Sequence, residues 1–131
     1  LEGLQIDYSK NWQAEHWRAI ESAYANAPHF EHYAHDLRFI FKKQHIFLHE
    51  LNSAILNWID NALALQLQIE RSDEFTGQTP SEKKAWLGRA LTPTKAYQQV
   101  FNGKKEFVQN LSVIDGLMNE GPLLRNHFVP R

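Results

Sequence analysis

Apolar side chains recur at intervals of three and four residues along most of the chain, which is the spacing of one face of an α-helix. In the first such segment this face comprises Trp12, His16, Ile20, Ala23 and Tyr24. Ala27-Pro28 ends the segment, because the residue before a proline is disfavoured in the helical conformation. The pattern therefore predicts a first helix that begins near Trp12 and ends before Pro28.

Two more helices are predicted between residues 30 and 66. The second follows Phe30, and the polar triplet at 42–44 either interrupts it or forms a polar turn within a longer helix. Its apolar positions are Tyr33, Leu37, Ile40 and Phe41. The third helix carries Phe47, Leu51, Ile55, Trp58, Ala62 and Leu65, with Leu48, Ile59 and Leu63 widening the apolar face. Because that face is wide, we expect the third helix to be the central core element.

Two short segments, 4–8 and 67–71, alternate apolar and polar residues, and this alternation is typical of β-strands. Further along, Thr79-Pro80 is followed by Glu82. A capping threonine, a proline at the first helical position and a glutamate three residues after the cap predict a helix from Pro80 to about Leu91. Thr92-Pro93 then predicts another turn of helix through Phe101.

The last predicted helix begins at Ser112, which has the spacing of a capping box with Asp115. Gly121-Pro122 ends it, and a final turn from Leu123 to Phe128 is expected to pack back onto the body. The patterns together predict a mainly α fold of five to six packed helices with one or two short β-strands. They fit a single helical domain over residues 1–131.

Composition and charge narrow the classes of function. Hydrophobic residues make up 43% of the chain and charged residues 22%, as in globular proteins with a buried core. The absence of cysteine excludes disulfides and thiolate chemistry. The formal net charge of -1 provides no broad basic surface for a nucleic acid. No apolar run approaches the about 18 residues that a bilayer span requires, so we expect a cytoplasmic protein without a membrane span.

Two stretches of the chain resemble the WbqC-like family, which is named for a protein of bacterial O-antigen gene clusters. The first runs from Trp12 to Phe30 and contains His16-Trp17 and Ala27-Pro28. The second comprises 97–101 and 107–122 and ends in Asn119-Glu120-Gly121-Pro122, which resembles the closing signature of the family. Gly116 departs from the bulky apolar residue that is usual there. The front part of the family pattern is missing, so the resemblance implies the C-terminal, helical part of a longer WbqC-like protein.

The resemblance implies a role in bacterial surface polysaccharide (O-antigen) biosynthesis, with group transfer onto a nucleotide-linked amino sugar as the specific hypothesis. Its ligand would be a nucleotide-sugar or a sugar, and no cofactor is implied. The alternative is a non-catalytic helical module that binds a ligand or a protein. A third hypothesis is a homodimer formed through a surface left bare by truncation. The residues leave open whether the protein is an enzyme.

Seven histidines are present, but their spacing along the predicted helices does not bring a full set of ligands to one metal ion. His45 and His49 are four residues apart beside Glu50, which makes an incomplete site, so we predict no metal centre. His16 lies in the first stretch that resembles the family and is the one catalytic candidate, as a general base or a substrate contact. The alternative for His16 is a histidine at the edge of the core that bonds a backbone carbonyl.

The candidate binding residues are polar positions of the second stretch, namely Tyr97, Gln99, Asn110, Ser112, Asn119 and Glu120. Tyr97, Gln99, Asn119 and Glu120 either line a cleft or hold turns together by bonding the backbone. The start of the last helix, Asn110 to Ser112, either caps that helix or also holds a phosphate or carboxylate. Among the tryptophans, Trp17 is the one that we expect to be partly exposed, because it lies about 100° around the helix from His16.

Overall fold

The computed structural model describes residues 3–69, 96–100, 106–109 and 111–127. Within this part the chain forms four α-helices, which are α1 (Trp12–Tyr24), α2 (Phe30–Lys42), α3 (Leu48–Leu63) and α4 (Val113–Glu120). A 3-10 helix (Gly121–His127) continues directly from α4. The mainly α class is confirmed. The predicted helix at 80–91 lies outside the described residues, and the residues 96–100 are not helical, contrary to the expected helix through Phe101.

No β-strand occurs in the part of the chain that the structure describes, so neither strand prediction is confirmed, and residues 70–71 of the second lie outside that part. The segment 4–8 makes only an isolated antiparallel bridge between Gln5 and Phe47. The Ile6 N–H donates to the Ile46 carbonyl at 3.0 Å, and the Leu48 N–H donates to the Leu4 carbonyl at 2.9 Å. The described residues 65–69 have no regular structure. Alternation alone is not enough, because a strand also requires a partner of similar length.

The ends of the first two helices follow from local chemistry. α1 ends at Tyr24, and the Ala27 N–H then donates to the Tyr24 carbonyl at 2.8 Å in the turn before Pro28. α2 ends at Lys42, because Lys43 adopts an extended conformation with φ -64° and ψ 133°. Of the two alternatives for the polar triplet, interruption of the helix is therefore the one observed.

The core lies where α2 meets the other helices. Its most completely buried side chains are Leu37, Leu63, Leu117 and Met118. α2 packs against α1, α3 and α4, whereas α3 packs mainly on α2 and the 3-10 helix. The central position therefore belongs to α2 and not, as predicted, to α3, where Leu48, Ile55 and Ile59 of the predicted apolar face are only partly buried.

The 3-10 helix packs on α3 and α4, which confirms the expected final turn over its described residues. Leu124 from this helix lies over Gly116, so a Cβ on Gly116 would stand 2.5 Å from a Leu124 methyl carbon. The glycine at this position is therefore matched to a bulky neighbour. None of the described helices is long and apolar enough to cross a membrane.

Candidate functional site

Asp115 is the centre of a buried polar network at the first turn of α4. The Tyr97 hydroxyl donates to Asp115 Oδ2 at 2.5 Å, and Gln99 Nε2 donates to the same oxygen at 3.4 Å. Asp115 is only 5% exposed. A carboxyl group removed from water in this way needs hydrogen-bond donors around it. These donors attach the segment 96–100 to α4.

Gln99 joins a second segment to the network. Its Nε2 donates to the Val108 carbonyl at 2.8 Å, and its Oε1 accepts from the Val108 N–H at 3.0 Å. This paired geometry satisfies both backbone groups of Val108 as a neighbouring strand residue would. Asn119 similarly donates from Nδ2 to the Asp115 carbonyl at 2.8 Å. Gln99 and Asn119 therefore bond the backbone, as expected for the alternative in which these residues hold turns together.

The network reaches the first helix at its last residue, Tyr24. Burial, followed by the charge and hydrogen bond of Asp115, raises the pKa of Tyr24 to about 12. Burial, followed by the hydrogen bond to Asp115, likewise raises the pKa of Tyr97 to about 12. Both phenols therefore stay protonated at neutral pH and remain available to share the Asp115 carboxyl group.

The pKa values of the two phenols predict a specific loss of stability at alkaline pH. Tyrosines of the unfolded chain ionise near pH 10.0, but those of the folded chain ionise near 12. Between these values the unfolded state releases protons that the folded state keeps, so stability falls as pH rises. We expect a loss of roughly 1 kcal/mol for each tyrosine by pH 12, reduced from the full linkage value because both rings are partly exposed.

Urea unfolding at pH 8, 10, 11 and 12 measures this alkaline loss, and the double variant Tyr24→Phe/Tyr97→Phe should show a shallower decline than the native chain. An ultraviolet titration in which all tyrosines of the folded protein ionise together at about pH 10 would contradict the assignment.

His16 lies apart from this network. It is exposed on α1, where its ring contacts those of Trp12 at 5.5 Å and Phe41 at 6.1 Å between centroids. It precedes Tyr24 by eight residues, which is about 12 Å along the helix axis. The structure therefore brings Tyr97, Gln99 and Asn119 together around Asp115 but does not bring His16 to them.

A pair of ionisable side chains lies beside the network where α4 meets the 3-10 helix. His127 Nε2 is 3.3 Å from Glu120 Oε2, and the His127 ring lies 6.1 Å from that of Tyr97. The side chains of His127 and Glu120 are 11% and 26% exposed. His127 is not among the residues predicted from the sequence. Its spacing of seven residues from Glu120, about two helical turns, is the sequence feature that could have indicated that the two side chains lie close together.

Ser112 caps α4, since its hydroxyl accepts from the Ile114 N–H at 3.3 Å. The expected partner in the capping box behaves differently, because the Asp115 side chain turns inward to Tyr97 and Gln99. Asn110 lies outside the described residues. The capping role of Ser112 is confirmed, and its role in binding stays a prediction.

The turn between α1 and α2 is attached to the end of α4. The His29 N–H donates to the Met118 carbonyl at 3.0 Å, and the His29 ring lies directly over Gly121. A Cβ on Gly121 would stand 2.7 Å from two atoms of that ring. These contacts bring the Ala27-Pro28 turn of the first stretch against the Gly121-Pro122 end of the second.

His45 and Glu50 take part in local structural contacts. His45 is buried, with Nε2 3.2 Å from the Ile40 carbonyl. Glu50 accepts from the N–H groups of Ile46 at 2.9 Å and Phe47 at 3.1 Å, and so satisfies backbone donors at the start of α3.

The model of the WbqC-like protein family matches residues 1–92, which include the Trp12–Phe30 stretch and all of α1, α2 and α3. No curated protein and no solved structure matches the chain. The match covers the front of this chain and stops before Tyr97, so the family relationship of the stretch that ends at Pro122 stays a prediction. Because 92 of the 131 residues match, the chain belongs to the WbqC-like protein family.

Proposed function

We propose that this chain binds a nucleotide-linked amino sugar during bacterial surface polysaccharide (O-antigen) biosynthesis in the cytoplasm. The observation that carries the proposal is the Glu120–His127 pair beside Tyr97, at the junction of α4 and the 3-10 helix. Carboxylate and imidazole groups bond the hydroxyl and amino groups of a sugar, and an aromatic ring packs against its apolar face. Membership of the WbqC-like family supports the polysaccharide context.

The polar residues have different parts in this proposal. Glu120 and His127 are partly exposed and contact the ligand. Gln99 and Asn119 are buried and position Tyr97 through the Asp115 network. Ser112, at the N-terminus of α4, faces solvent where backbone N–H groups favour an anionic part of the ligand. His16 lies too far along α1 to share this site.

Group transfer is the specific chemistry that we propose for the site. The amine nitrogen of the sugar attacks the acyl carbon of a thioester co-substrate and the carbon–sulfur bond breaks, so the amine loses a proton, which a histidine base accepts and passes to the departing thiolate. His127, held by Glu120, is the described histidine that lies beside the network. This assigns the role of base to His127 in place of His16.

The second candidate function is a binding module without chemistry. It is favoured by the hydrogen bonds of Gln99 and Asn119, whose amide groups are engaged with the backbone. Self-association belongs to the same candidate. Phe39, Ile46 and Leu123 are each more than half exposed and provide apolar area for it.

Calorimetric titration with UDP-N-acetylglucosamine and with dTDP-linked amino sugars tests the proposal. We expect the native chain to bind, and Glu120→Gln and His127→Gln to weaken binding about tenfold, because the first removes the carboxylate and the second removes the imidazole that contact the sugar. Glu31→Gln is the matched control, since Glu31 is an exposed glutamate on α2. Absence of binding by the native chain, or equal binding by all variants, would overturn the proposal.

Turnover separates the two candidate functions. With an acyl thioester supplied as the donor, an assay that follows new amide formation on the bound amino sugar should show product with the native chain and little with His127→Gln. Binding without product would favour the second candidate function, a binding module without chemistry.

A further inference from the structure

A groove of about 340 Å³ lies between α1 and α2. Trp17, Arg18 and Glu21 line it from α1, and Arg38, Phe41 and Lys42 line it from α2. Its volume is within the range of small-molecule sites, and it combines two aromatic side chains with charged groups. None of these residues belongs to the Asp115 network or to the Glu120–His127 pair, so the groove is a separate part of the molecule.

The charge of the groove is strongly biased. Arg18, Arg38 and Lys42 supply three cations and Glu21 supplies one carboxylate, which leaves two net positive charges. None of the three cations forms an ion pair within the described part of the chain. Arg38 and Lys42 are four residues apart on α2, where like charges repel. An anion in the groove would remove this repulsion.

The aromatic side of the groove is already organised around one of the cations. The Arg38 guanidinium carbon lies 5.4 Å from the Trp17 ring centroid, so the ring restricts the position of the guanidinium. The Trp17 indole N–H is buried and has no acceptor among the described residues. A buried donor without a partner is uncommon in folded proteins, and this one belongs to a side chain that lines the groove.

We propose that this groove binds a phosphate-bearing small molecule carrying about two negative charges. Phosphate esters and nucleotide-linked diphosphates both match that charge. Arg38 binds the phosphate oxygens through its planar guanidinium, and Lys42 and Arg18 add positive charge from the two helices. The inference does not depend on the proposed function, because it rests on α1 and α2 alone.

Titration of the native chain with inorganic pyrophosphate, with UDP and with UDP-N-acetylglucosamine tests the groove and distinguishes the sources of the phosphate. We expect binding of pyrophosphate or UDP that weakens with added salt. Arg38→Gln and Lys42→Gln should each weaken it at least fivefold, and Arg38→Lys should weaken it less than Arg38→Gln. Lys43→Gln is the matched control, because it removes the same charge from the next residue, which does not line the groove.

A second readout follows the indole N–H of Trp17. Its resonance in a proton–nitrogen correlation spectrum should shift on addition of pyrophosphate in the native chain and stay unchanged in Arg38→Gln. Arg38 and Lys42 are exposed, so these variants should fold, and circular dichroism checks this. Binding that is equal in Arg38→Gln, Lys42→Gln and the native chain would overturn the proposal, as would the absence of binding by all three probes.

The result for the groove is separable from that for the proposed function. Binding of UDP-N-acetylglucosamine that depends on Glu120 and not on Arg38, with no binding of pyrophosphate or UDP, would overturn the proposal that the groove binds phosphate. It would leave the proposed function intact. Pyrophosphate binding that depends on Arg38, without nucleotide-sugar binding, would support the proposal that the groove binds phosphate and would overturn the proposed function.

Discussion

Replacing Asp115 with alanine is expected to lower the free energy of unfolding by about 3 kcal/mol. The substitution removes the acceptor for the Tyr97 hydroxyl and for Gln99 Nε2, and it takes away the carboxyl group beside Tyr24. Asp115 is 5% exposed, so water does not readily replace the lost partner. The segment 96–100 should consequently lose its attachment to α4.

Chemical denaturation of the Asp115→Ala variant measures this loss, and Asp36→Ala is the control. Asp36 is an exposed aspartate on α2, and its replacement should change the free energy of unfolding by less than about 0.5 kcal/mol. If Asp115→Ala were as stable as Asp36→Ala, the network would contribute nothing to the fold.

Replacing Gly121 with alanine is expected to destabilise the protein by about 3 kcal/mol, for two independent reasons. Gly121 has φ 60° and ψ -138°, a conformation that residues with a side chain rarely adopt. The new Cβ would also stand 2.7 Å from the His29 ring, which must then move away from the end of α4. The contact between the Ala27-Pro28 turn and α4 should weaken as a result.

Thermal and urea unfolding of Gly121→Ala measure the combined effect, and Gly3→Ala provides the control. A Cβ on Gly3 would meet nothing within 4 Å, so that variant should be close to native in stability. In a His29→Ala background the steric part should disappear and the backbone part should remain, at about 1–2 kcal/mol. Equal stability of Gly121→Ala and Gly3→Ala would show that the turn does not depend on this glycine.

The helices that were predictable from sequence are those whose apolar faces repeat over three turns or more. Tyr33, Leu37 and Phe41 are all buried on α2, as their spacing indicates. Trp17, which the sequence predicts to be partly exposed, is instead buried against Phe30 at 6.2 Å between ring centroids and beneath Arg38. A single amphipathic stripe cannot reveal that a helix is covered on a second side.

The site was only partly predictable for a related reason. Tyr97, Gln99 and Asn119, three of the predicted binding residues, share Asp115 as a hydrogen-bond partner, while their role in binding stays a prediction. The role of Asp115 itself was missed, because the S-x-x-D spacing has a sufficient local explanation in helix capping. Its actual donors are 16 and 18 residues away, a separation over which sequence spacing carries little information.

The most direct test of this account is a double-mutant cycle between Tyr97→Phe and Asp115→Asn, measured by urea unfolding at neutral pH. The buried Asp115 carboxyl group joins the segment 96–100 to α4 through the Tyr97 hydroxyl at 2.5 Å. We therefore expect a coupling energy of at least about 1 kcal/mol between the two changes. Additivity of the two losses to within about 0.3 kcal/mol would contradict it.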